Sequence, residues 1–77
     1  METKSSGLKE QMYTWLLSEL QEAEGMGRSF SVEGEPYTVA EADELYQVME
    51  EAYYMKSYIP DAKGRIVQVD FEKIKTV

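Results

Sequence analysis

The sequence predicts an α+β fold in which helix, strand, strand, helix and strand follow in order. The expected sheet is three-stranded and antiparallel, in strand order 2-1-3, with both helices on one face. Three observations carry this reading. Apolar residues recur at helical spacing between Leu8 and Ala23, a capping box stands at Thr38 and Glu41, and polar and apolar residues alternate between Arg65 and Glu72.

Leu8, Met12, Trp15, Leu16, Leu20 and Ala23 form one stripe, bordered by Tyr13 and Leu17, with Ser6 or Gly7 available as the cap. Gly25 and Gly27 supply the left-handed turn that commonly ends a helix, so the first helix spans roughly 7 to 24. Glu22 and Glu24 fall in its last turn, where the dipole disfavours negative charge. Arg28 to Val32 alternates, Glu33-Gly34 offers a tight turn, and Glu35-Pro36-Tyr37 runs back, which reads as a short hairpin. Pro36 has no N–H for a ladder and suits an edge.

Thr38 and Glu41 then open a second helix, read as running to about Tyr58 and stopped by Pro60. At about 100° per residue, Val39, Ala42, Leu45, Tyr46, Val48, Met49, Ala52, Tyr53, Met55 and Ile59 share a broad apolar face. The opposite side carries Asp43, Gln47, Glu50, Glu51, Tyr54 and Tyr58. Pro60 to Gly64 is turn-rich, and Val67, Val69 and Phe71 share the buried face of the last strand. The expected core is Trp15, Leu16, Leu20, Phe30, Val32, Leu45, Met49, Tyr53, Val67, Val69 and Phe71. Residues 1–6 read as a disordered N-terminal tail and 7–77 as a single domain.

The chain has 77 residues and buries only about 60% of its unfolded surface, so its stability should be modest. It contains no cysteine and no histidine, which excludes disulfides and Cys or His zinc sites. No phosphate loop, calcium loop or nucleophile–base pair is present, so no enzyme activity, cofactor or metal is expected. With no apolar run near 20 residues and no export signal, the expectation is a soluble cytoplasmic protein without membrane contact.

The net charge of −7 is unevenly placed, because residues 10 to 51 hold eleven acids against the single Arg28. Such a field disfavours direct nucleic-acid binding, which rests on lysine and arginine, and favours a basic protein surface. On the second helix Glu50 and Glu51 have no lysine at salt-bridge spacing, and tyrosines are enriched at interface centres. The expected partner-binding site is therefore Glu50, Glu51, Tyr54 and Tyr58, with Asp43, Gln47, Glu33 and Glu35 at its periphery. It would dock on a basic groove of another protein, such as a nucleic-acid-binding protein that it inhibits by imitating phosphates. In size, charge and lack of catalytic groups the chain is similar, at the level of class, to compact acidic proteins that phages make against host nucleases. Two alternatives stand beside this: a solvated face that only keeps the protein soluble, and a housekeeping or regulatory subunit forming a homodimer through Tyr13, Leu17, Val48 and Met55.

Overall fold

The computed structural model describes residues 7–74, so the tail expected at residues 1–6 lies outside the described residues. Helix α1 covers Leu8–Gly25, strand β1 Ser29–Val32 and strand β2 Glu35–Pro36. A 3-10 turn at Val39–Glu41 leads into helix α2, Ala42–Val48, followed by strands β3, Tyr54–Pro60, and β4, Ile66–Lys73. The fold is α+β, with two helices and a four-stranded mixed sheet in the order β2-β1-β4-β3.

The second helix is where sequence and structure part. Its capping box forms, with the Thr38 N–H donating to Glu41 Oε1 at 2.9 Å. The helix then ends at Val48, Met49 turns to extended backbone, and the stretch expected as its last three turns is an irregular connection over 49–53 followed by strand β3. Residue preference supplies one part of the reason, and tertiary contacts of Glu50, Glu51 and Tyr54 the other. Ten apolar positions spread over a broad face specify no narrow stripe, whereas Tyr54, Tyr58 and Ile59 are aromatic or β-branched types that pack well on a pleated surface. Burial follows strand parity: Tyr54 is 6% exposed and Tyr53, the expected core residue, is 62% exposed.

This extra strand also corrects the sheet. Three antiparallel strands in order 2-1-3 were expected, with β4 antiparallel to β1. The added β3 reverses the chain once more before β4 and pairs antiparallel with it. β4 therefore enters between β3 and β1 and runs parallel to β1, with Phe30 opposite Val69 and Val32 opposite Phe71. The β3–β4 turn is held by Asp61, whose Oδ1 accepts from the Lys63 and Arg65 N–H groups at 2.8 and 3.0 Å.

Phe30, Val32, Val69 and Phe71 share the sheet face on which both helices pack, through Leu16, Leu20 and Ala23 of α1 and Leu45 with neighbouring Met49. Trp15 meets Phe71 edge-on, with ring centroids 5.0 Å apart. Tyr13 joins the helices, donating to the Ala42 carbonyl at 3.3 Å and meeting the Tyr46 ring edge-on. Val67, also expected in the core, lies at the start of β4 and is exposed. On the opposite sheet face Ser31 donates to Asp70 Oδ1 at 2.5 Å and accepts from Gln68 Nε2 at 2.9 Å. That network lets a buried serine sit there without an unsatisfied hydroxyl.

Candidate functional site

With the second helix cut short, the expected acidic ridge is not a helix face, and its members go to four places. Glu50 follows α2 and reaches Lys73 of β4, Oε1 to Nζ being 2.7 Å. Glu51 turns to α1, where its Oε1 accepts from the Lys9 N–H at 2.9 Å. There it does what Gly7, the N-cap without a side chain, cannot: it satisfies a free helix N–H and places negative charge at the positive end of the dipole. Tyr58 is exposed on β3 beneath Lys56, and Asp43 and Gln47 are exposed on α2. The unexplained glutamates of the sequence are thus met within the chain itself, as is Glu19, 3.1 Å from Lys56.

Four of the expected residues are nevertheless brought together. Glu33, Glu35, Glu50 and Tyr54 line a cleft of about 250 Å³ with Val32, Tyr37, Val48 and Lys73. Each wall has a local cause. The β1–β2 turn places Glu33 and Glu35 on one side; Glu33 and Gly34 both have positive φ, 53° and 83°, the pattern of a type I′ hairpin turn. A glutamate is an unfavourable choice for the first of those positions, where Asn, Asp or Gly is usual. Its carboxylate is used there, Oε2 accepting from the Lys73 N–H at 2.8 Å.

The end of α2 supplies the opposite wall, Val48 and Glu50, and the Glu50 N–H donates to the Tyr54 hydroxyl at 3.0 Å. Val32, Val48 and two tyrosines therefore line the cleft together with three carboxylates and the Lys73 ammonium. The field in the cleft registers on its own groups. Burial and then the Glu35, Glu44 and Glu41 carboxylates push the Tyr37 phenol above its usual range. Glu50 and, to a smaller degree, Tyr54 and Glu33 hold the Lys73 ammonium above its own. Among the described residues the carboxylates do not converge as a group of three or more that could hold a metal ion.

Sequence reasoning missed Tyr37, Val48, Val32 and Lys73 as lining residues. The turn signal at Glu33-Gly34 could have placed the two hairpin acids together. Nothing local could have placed Glu50 beside Lys73, 23 residues away, because that contact needs the β3–β4 hairpin. No helix of the described residues is long and apolar enough to cross a membrane. Fold and site together define a small acidic α+β protein with a cleft lined by three glutamates, two tyrosines, two valines and a lysine. No family model, curated protein or solved structure matches the chain.

Proposed function

We propose that the chain is a small non-enzymatic binding module whose cleft receives a lysine or arginine side chain from the basic groove of a partner protein. A protein that binds nucleic acid, blocked at its phosphate site, is the partner of this kind with the matching charge. One observation carries the reading: Glu33, Glu35 and Glu50 line one cleft with Val32, Val48, Tyr37 and Tyr54, three carboxylates against the single ammonium of Lys73. A long cationic side chain has a matching division, an apolar stem beneath a charged head. Tyrosine rings suit it further, since their faces attract cations. Asp43 and Glu44, exposed on the first turn of α2, extend the negative field that steers such a partner.

The earlier grouping changes under this reading. Glu33, Glu35, Glu50 and Tyr54 form the centre, Asp43 and Gln47 stay peripheral, and Glu51 and Tyr58 serve α1 and β3. Nuclear magnetic resonance titration with a nona-arginine peptide tests it. Amide shifts should concentrate at Val32, Tyr37, Val48 and Tyr54 and vanish in E33Q/E35Q. Shifts spread evenly over remote acids such as Glu22 and Asp61, or unaffected by that double change, would reject the cleft.

A further inference from the structure

We infer that the free edge of β3 is a self-association surface, on which a second copy of this chain adds its own β3 in antiparallel register about a two-fold axis at Ser57. The inference is independent of the cleft and uses none of its carboxylates.

Backbone geometry identifies the free groups. β3 is the edge strand of the sheet, paired on one side only, with β4. The Ile74 N–H donates to the Tyr53 carbonyl at 2.8 Å, which makes Tyr53 and Ile74 a hydrogen-bonded pair. Since such pairs alternate along an antiparallel ladder, Met55, Ser57 and Ile59 turn their backbone groups to β4 while Lys56 and Tyr58 turn theirs outward. Among the described residues no other backbone group bonds that outer row.

Edge strands are ordinarily guarded by shortness, proline, bulges or an unpaired lysine. β3 has seven residues, and its proline and ladder irregularity lie together at the far end, at Ile59 and Pro60. Its one lysine is neutralised by Glu19. The stretch 52–60 contains no acid in a chain of net charge −7, and Met55, Tyr58 and Ile59 are 49, 51 and 39% exposed. No carboxylate of β3 itself opposes a second copy, although Glu72 and Asp70 of β4 stand opposite Met55 and Ser57.

The occupant follows from self-complementarity. An axis at Ser57 sets Met55 against Ile59 of the partner on one face and Lys56 against Tyr58 of the partner on the other. The first is an apolar pair. The second repeats between copies the cation–ring contact already made within one, where Lys56 Nζ lies 4.8 Å from the Tyr58 ring centroid. The outward groups of Lys56 and Tyr58 meet their own kind, and Pro60, without an N–H, closes the ladder. Moving the axis to Lys56 or to Tyr58 would set Met55 or Ile59 against Ser57 of the partner, so the apolar pair fixes the register.

Sedimentation equilibrium of the full chain tests this, with circular dichroism to verify folding of each variant. The wild type should pass from monomer to dimer between about 1 µM and about 1 mM. M55E/I59E and M55K/I59K should each associate at least tenfold more weakly alone, and their equimolar mixture should recover dimer because opposite charges then face each other across the axis. A wild type that stays monomeric throughout, variants that dimerise like it, or a mixture that stays monomeric would each overturn the inference.

Discussion

At one edge of the sheet β2 offers two residues, one of them a proline, beside the carboxylates of Glu33 and Glu35. At the other, β3 offers seven residues in a stretch without acids, with apolar and aromatic side chains outward. Proline and charge close the first edge to strand addition and leave it a charged rim; the second keeps its backbone groups available. A small chain with a strong net charge can therefore carry two surfaces answering to different forces, provided the sheet separates them. Salt should act on them with opposite sign, weakening attraction of a cation to the rim and relieving repulsion between two acidic copies at the edge.

The comparison breaks entirely if the sheet does. Phe71 lies in the strand between the two edges, fully buried and touching Trp15 and Phe30. Phe71→Ala should cost about 3–5 kcal/mol in urea denaturation, a large share of the stability of a domain this size, and should remove both associations together. A loss under 1 kcal/mol would contradict the packing described.

Smaller changes separate the regions. Glu51→Gln removes charge at the start of α1 and should cost about 0.5–1 kcal/mol, with peptide binding at the cleft unchanged. Equal weakening of both would return Glu51 to the binding site. Lys73→Met removes the ammonium from the Glu50 carboxylate; because the pair is partly exposed, the stability cost should be small, while affinity for nona-arginine rises. Glu33→Asn puts a preferred residue at the positive-φ position and should leave stability unchanged or raised by up to about 1 kcal/mol while peptide affinity falls.

The pH profile has a defined shape at its acid end. The Tyr46 hydroxyl, donating to Glu10 Oε2 at 2.6 Å, holds the Glu10 carboxyl below its usual range, and the Arg65 and Lys63 N–H groups do so for Asp61. Both folded values lie below the unfolded ones, so their stabilising contribution is complete above about pH 5 and is lost as pH falls through the depressed values. Tyr46→Phe should flatten that decline in a thermal melt series. Lys56, held up by Tyr58 and Glu19, and Lys73, held up by Glu50, act oppositely, contributing fully below about pH 10 and less as pH rises through their raised values.

Local signals in the sequence were legible where they were complete. The stripe from Leu8 to Ala23, the turn at Glu33-Gly34, the capping box and the alternation of β4 all correspond to structure. The end of α2 was not legible, since Met49-Glu50-Glu51-Ala52 contains neither glycine nor proline. What ends the helix is tertiary: Tyr54 gains burial in the core, Glu50 reaches Lys73, and Glu51 reaches the start of α1. Four of the eight expected residues, Glu33, Glu35, Glu50 and Tyr54, nevertheless line one cleft.

The opposite salt dependence of the two surfaces is the direct test. Nona-arginine affinity and self-association should be measured on the same wild-type preparation at about 0.05 M and about 0.5 M salt, where screening lengths differ about threefold. The account predicts that peptide affinity falls at least tenfold while dimerisation strengthens. Peptide affinity that holds steady, or dimerisation that weakens in parallel with it, would contradict the separation of an acidic rim from an acid-free edge.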